Sequence, residues 1–226
     1  MILRTDGWRR HNIWEHSATV LELYRRRARD EAEEMTCAAQ AAELLAGLAA
    51  EGDSLVDAGC GSGYFFHSLR RRAVPLAYHG FDATAAFVEI GLEELPRFGL
   101  PADRLKVARI EDVDGAADHV LCMNVLSNLD NYHRPLERLL GMARKSVVLR
   151  ESVKDGAEYR WVRDRYLDDG VTLSVHVNAY DRADILGFIA ARGFTVEEIT
   201  DRRTGGVPED VIGYPHHWTF LVARRR

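Results

Sequence analysis

Apolar residues recur along this chain at two spacings, and the alternation between them predicts its elements. Leu55 and Val56 open a short buried strand over 54–58; after a glycine-rich turn, helical spacing runs over 64–72. A second round gives a strand at 76–81 and a helix at 84–94, followed by a strand at 104–109. Each crossover is long enough for a right-handed parallel connection. Asp118 to Asn124 (DHVLCMN) is a near-continuous apolar run, the mark of a central parallel strand covered on both faces. Residues 133–144 put Leu136, Leu139, Leu140 and Ala143 on one helical face, and 146–150 is another buried strand. Asp181, with Asp184 three residues on, opens a helix that stops at Gly193. Strands at 195–200 and 218–224 bring the expected number to seven. The order predicts an α/β fold built on one doubly wound, mostly parallel sheet.

Two helical stretches precede the first strand. Trp14, Ala18, Leu21, Tyr24 and Ala28 share one face of a helix expected over 13–30, and 35–48 is a second, rich in Ala and Leu. The expected organisation is an N-terminal helical extension over 1–52 and one compact domain over 53–226. Two segments carry no clear period, 152–180 and 201–217. Loops of that length in a compact domain tend to be functional or mobile.

The chemistry-bearing stretch is Asp57-Ala58-Gly59-Cys60-Gly61-Ser62-Gly63. Glycine at every second position removes Cβ atoms where a strand must turn sharply into a helix and lie close to a ligand. The helix start behind it favours an anionic group. The spacing is G-x-G-x-G, with Tyr64 where a dinucleotide fingerprint wants its third glycine, and there is no phosphate loop of Walker type. Ser62 is not a nucleophile elbow, because Cys60 stands where that motif needs glycine. One helix and one strand later, Phe81-Asp82 ends a strand in an acid, placed to take hydrogen bonds from ribose hydroxyls.

Asp57 to Gly63 together with Asp82 resembles the first two motifs of the class I, Rossmann-like S-adenosylmethionine-dependent methyltransferases, most closely the bacterial small-molecule type. The resemblance covers about residues 54–150 and is only architectural beyond them. It implies a sheet whose last strand is antiparallel and a cofactor, S-adenosylmethionine, that leaves as S-adenosylhomocysteine. The cofactor-binding positions it implies are Asp57, Gly59, Cys60, Gly61, Gly63, Asp82, Ala83, Ile110, Glu111, Asp112, Asn124 and Val125. Either Glu111 or Asp112 fits the place of the acid that meets the adenine. N-terminal helices close over cofactor and substrate in this superfamily, which makes Trp8, Trp14, His16, Tyr24, Glu34 and Met35 candidates for a lid.

Methyl transfer from a sulfonium needs alignment and exclusion of water, and a base only when the nucleophile arrives protonated. Candidate bases are His133, His176, His217 and Tyr180, with His216 and Glu151 beside them. Trp14, Tyr24, Met35, Tyr159, Trp161, Arg163, Tyr166, Asn178 and His216 are candidates to line a pocket for a small polar acceptor. After the fourth strand stands Met123-Asn124-Val125-Leu126-Ser127 in place of N-P-P-Y or D-P-P-Y, which argues against flipped nucleobases. The acids of a catechol-type magnesium site are missing, so no metal is expected.

Composition narrows the surroundings. A formal charge of −5 and a sequence pI near 6.0 provide no field for nucleic acid or an anionic membrane. Three cysteines, with no C-x-x-C, suit a reducing compartment, and no run of about 18 apolar residues is present. The expectation is a cytoplasmic enzyme, monomer or homodimer, that methylates oxygen or nitrogen of a metabolite, sugar or natural product. A peptide or protein amine methyltransferase, or a non-catalytic cofactor-binding scaffold, is the alternative.

Overall fold

The computed structural model describes residues 9–226, so Trp8 lies outside the described residues. Strands β1 (Ser54–Ala58), β2 (Ala77–Asp82), β3 (Leu105–Val107), β4 (Ala117–Met123) and β5 (Ala143–Lys154) are parallel and alternate with helices. Two short hairpins follow, β6 (Trp161–Arg163) with β7 (Ser174–His176) and, later, β10 (Glu209–Val211) with β11 (Tyr214–His216). β8 (Tyr180–Asp181) joins the far end of β5; β9 (Phe194–Thr200) and β12 (Trp218–Arg225) complete the sheet. The order is β3-β2-β1-β4-β5-β12-β9, and β12 runs antiparallel to both its neighbours. This is the Rossmann-like methyltransferase fold that the sequence predicts, with the short β8 as an eighth strand.

The helices are α1 (Ala18–Ala28), α2 (Thr36–Ala46), α3 (Phe65–Arg71), α4 (Ala85–Glu94), α5 (His133–Met142) and α6 (Arg182–Ala190). The apolar stripe of α5 buries Leu136, Leu139 and Leu140 on one face of the sheet, against Val120, Val147 and Leu149. On the other face α2 buries Ala38, Ala41 and Leu45 with Leu55, Leu121, Val148 and Phe220. The expected two-layer cover is there because strands that are apolar on both faces must be covered on both.

The stretch expected as one helix over 13–30 is two elements. Asn12 Oδ1 accepts from Trp14 N (3.2 Å) and caps a 3-10 turn at Ile13–Glu15; Ser17 Oγ accepts from Val20 N (3.3 Å) and starts α1. Two capping side chains so close together outweigh a continuous apolar stripe, because each satisfies a donor that a helix start leaves open. The aperiodic segments hold the two hairpins. Ile212 (φ 53°) and Gly213 (φ 91°) both sit in the left-handed region, the demand of a two-residue hairpin turn. Ile212 takes it despite its branched side chain, which packs with Ile13, Val175 and Val177 in a small separate cluster. β5 also extends at both ends past the expected 146–150.

Candidate functional site

The strand order switches direction between β1 and β4, and the crevice beyond their carboxyl ends is where a ligand belongs in such a sheet. Gly59 (φ 76°), Gly61 (φ 57°) and Gly63 (φ 71°) turn the chain there. A Cβ on Gly59 would stand 2.3 Å from Val125 Cγ2, and one on Gly61 2.3 Å from Tyr24 Cε1. A side chain at either place would collide with these two, so Val125 and Tyr24 close directly onto the loop backbone. Gly59 N and Cys60 N both donate to Phe81 O (2.8 and 3.1 Å), tying the loop to the end of β2. Cys60 is buried against Gly80 and its thiol is pushed up by burial, which makes it a packing residue of the loop.

Asp82 organises the loop from the next strand. One carboxylate oxygen accepts from Gly61 N (2.8 Å) and the other from Thr84 N (2.7 Å). Each oxygen keeps a lone pair, and the half-buried side chain leaves them open for a diol. Asp57, at the end of β1, is buried and accepts from the Tyr78 hydroxyl (2.8 Å). Burial raises its pKa to about 7, the Tyr78 bond works against that, and the Asp82 charge adds to it. Ala83 continues from Asp82, and Ile110–Asp112 form a 3-10 turn just past β3. There Ile110 is buried, Glu111 half-buried and Asp112 exposed.

Arg150 and Glu151, neighbours on β5, reach the turn after β4 from opposite faces of the sheet. Glu151 is fully buried, and its carboxylate accepts from Val125 N, Leu126 N, Ser127 N and Ser127 Oγ at 2.8–3.0 Å. This fixes Val125 over Gly59. Arg150 donates to Asn124 Oδ1 (2.5 Å) through Nη1 and to Asp201 Oδ2 (2.6 Å) through Nε, and stacks on Trp218 at 4.4 Å. Its Nη2 is buried and meets no partner among the described residues. Asn124 itself takes a left-handed φ of 59°. Two charged residues inside the apolar run of β5 are the sequence signal for this clamp, since buried charges need partners.

The N-terminal segment straps the crevice. Glu15 Oε1 accepts from Ala85 N (2.8 Å) at the start of α4, and Asn12 Nδ2 donates to Thr84 Oγ1 (2.9 Å). On the other side Ser17 Oγ donates to Tyr166 O (2.7 Å), and Asp168 Oδ1 accepts from Ala18 N (2.9 Å). Arg25, Arg29 and Arg97 converge on the buried Glu94 of α4. Glu15 and Asn12 had no distinguishing sequence signal; their partners lie about 70 residues away.

The remaining candidates fall into separate places. Tyr24 lies over the glycine loop, and Met35 packs against the α2 side of the core. Trp14 packs with Ile13 against Val175 and Val177, and Glu34 pairs with Arg72. His16 carries its main-chain carbonyl to Asp168 N. Tyr180 is buried, donates its hydroxyl to Leu126 O (2.5 Å) and is pushed up by burial; it serves the core. Asn178 is likewise engaged, donating to Leu129 O and accepting from Arg160 N. His133 stacks on Tyr132 at the start of α5, and His176 packs on the exposed Trp161 in the first hairpin. Tyr159, Arg163 and Tyr166 are exposed along that hairpin and its loop. His217 stands beside Lys154 and Glu158, and burial lowers its pKa. His216 stacks on Trp218, the ring that Arg150 also covers, with Nδ1 at 3.1 Å from Tyr214 O, and burial lowers its pKa.

Residues 56–149 match a family model described as a methyltransferase domain. No curated protein matches the chain in sequence. Its fold is similar to that of magnesium protoporphyrin IX methyltransferase from Synechocystis PCC 6803 with bound SAM, at 16% identity and a TM-score of 0.61, covering 99% of this chain and 98% of that one. It is similar to the CcbJ methyltransferase from Streptomyces caelestis, at 13% identity and a TM-score of 0.61, covering 86% of this chain and 97% of that one. A third similar structure is SAM-bound CalS10, an amino pentose methyltransferase from Micromonospora echinaspora. There the identity is 16% and the TM-score 0.59, over 85% of this chain and 92% of that one. At such identities the likeness is one of fold.

Proposed function

We infer an S-adenosylmethionine-dependent methyltransferase acting on a small molecule, from a chain on the class I, Rossmann-like fold whose residues 56–149 match a methyltransferase-domain model. The observation that carries this reading is the pairing of a left-handed glycine loop with Asp82, whose carboxylate holds Gly61 N and Thr84 N and keeps lone pairs for a ribose. The fit to the cofactor is good at each end. Asp82 suits the diol, and a buried, partly protonated Asp57 suits a cationic amino group that would complete its ionisation. Ile110 offers an apolar wall for the adenine, with Glu111 half-buried beside it.

The bound cofactor supplies an electrophilic methyl on a sulfonium. This chain's residues hold and orient it, and the strap of Asn12, Glu15 and Ser17 with Tyr24 shuts water out. Similarity to structures of a porphyrin and an amino pentose methyltransferase supports a small acceptor. All three cysteines are free and buried, and no described helix is long and apolar enough to cross a membrane. Free thiols suit a reducing compartment, and on that ground we place the enzyme in the cytoplasm.

Calorimetric titration with S-adenosylmethionine, S-adenosylhomocysteine and NAD tests the reading. Binding of the first two near −8 kcal/mol, about micromolar, with no heat from NAD is the expected result. Silence with all three would sink it.

A further inference from the structure

Four arginines, Arg25, Arg26, Arg27 and Arg29, stand at the end of α1, and three of them are spent inside the protein. Arg25 and Arg29 pair with Glu94, and Arg26 donates to Glu31 O. Arg27 has no carboxylate partner among the described residues. Its half-buried guanidinium lies instead over two rings, 5.2 Å from the centroid of Tyr24 and 5.2 Å from that of Tyr64. Rings engage the face of a guanidinium. They leave the N–H groups on its edge, which can only donate, for other partners.

Both rings belong to the glycine loop. Tyr24 fills the space over Gly61, Tyr64 follows Gly63 directly, and the two meet edge to face at 5.8 Å. The Tyr24 hydroxyl feels the charges of Arg27 and Asp82, and the Tyr64 hydroxyl those of Arg27 and Asp57. Among the charged groups around this loop, Asp57 and Asp82 are acids and Arg27 is the cation. The nearby acids do not account for it. Arg27 and Tyr64 line a cleft between α1, the start of α2 and α3, where Asp30 and Glu34 are held by Arg71 and Arg72 and Glu33 is exposed.

We propose that Arg27 holds the carboxylate at the amino-acid end of the cofactor. The proposal rests on the reading of the chain as an S-adenosylmethionine-dependent enzyme. That end of the cofactor is a zwitterion, with an ammonium and a carboxylate on one carbon. Asp57 suits the ammonium, and Arg27, which shares Tyr64 with it, is the matching charge for the carboxylate. The edge of a guanidinium offers two parallel N–H groups to the two oxygens of a carboxylate. Tyr24 and Tyr64 fix the plane of the guanidinium before any ligand arrives, so little side-chain freedom is lost on binding. An acidic acceptor would suit the same donors, and a cofactor analogue separates the two sources.

Calorimetry with S-adenosylhomocysteine and its decarboxylated analogue, which keeps the adenosine, the sulfur and the amine, tests this. Binding of S-adenosylhomocysteine by the parent comes first, and its failure counts against the methyltransferase reading itself. The parent is then expected to bind the analogue about tenfold or more weakly. Arg27→Met keeps an apolar stem over the rings. It should lose a similar factor for S-adenosylhomocysteine and far less for the analogue, so that the two changes are not additive. Arg27→Lys should recover part of the preference for the carboxylate. Equal affinity of the parent for the two ligands would overturn the proposal whatever the variants do, and would turn Arg27 toward an acidic acceptor. Equal losses for both ligands in Arg27→Met would overturn it as well, since a side chain that only supports Tyr24 and Tyr64 behaves in that way.

Discussion

Tyr24 lies flat on Phe87, ring centroids 3.9 Å apart and planes 12° from parallel, and its edge fills the space where Gly61 has no side chain. The first helix and the glycine loop are thus fitted to each other. Ser62 Oγ adds a bond to the Tyr24 carbonyl (3.0 Å). Burial pushes the Tyr24 hydroxyl up to about 12, so the ring serves as a neutral cover. Gly61→Ala is expected to displace this ring and strain a left-handed residue. Affinity for S-adenosylhomocysteine should fall about tenfold or more, roughly 1.4 kcal/mol, by calorimetry. Unchanged affinity would remove the loop from the site.

Asp57 sets a slope of stability with pH. Its folded pKa, raised to about 7, exceeds the unfolded value of about 3.9. The folded chain then holds the proton more tightly, so this contribution is complete below about pH 4 and is lost as pH rises through 7. Thermal melts of Asp57→Asn should run flatter than the parent between pH 4 and 8. A parallel pair of profiles would contradict the assignment.

Asp53 has the opposite sign. Lys145 lowers its pKa most, followed by the Ala50 N–H and then His119. Its stabilisation is present above the unfolded carboxylate value of about 3.9 and is lost as pH falls below that through the folded value. Asp53→Asn is expected to lower the melting temperature at pH 7 and to narrow the gap from the parent as the solution is acidified below pH 4. A gap that is constant with pH would show that Asp53 acts through packing.

Removing Glu151 strands three backbone donors in a buried turn. Glu151→Ala should cost about 3 kcal/mol, roughly a 10 °C fall in melting temperature for a chain of this size. Glu151→Gln keeps one acceptor oxygen and should lose less. Differential scanning calorimetry separates the two, and equal losses would mean that volume, not hydrogen bonding, sets the cost.

The central strands and the glycine loop were legible because period and punctuation are local: an apolar run, an acid, glycines at alternate places. Asp82 was legible for the same reason. The break at Ser17 was also written locally, in two capping residues, but an apolar stripe running across them concealed it. Partners were not legible. Glu151 stands out as a charge in an apolar strand, yet nothing near it says that it holds residues 125–127. His133, His176 and Tyr180 suggest chemistry by residue type; the fold places them on Tyr132, on Trp161 and in the core. The aromatic residues 159–166 read as pocket walls, whereas Trp161 is 63% exposed on a hairpin that no pattern announced.

The antiparallel β12 has a consequence for synthesis. It fills the place between β5 and β9 and pairs with both along nearly its whole length. While a ribosome is still short of residue 218, β5 has an open edge facing β12's empty place and β9 has no strand beside it. Trp218, which supports Arg150 and so the orientation of Asn124, arrives with that same strand. The clamp on Asn124 is therefore complete only once β12 is in place. The step that closes the sheet thus also covers the open edges of β5 and β9 and finishes the turn after β4.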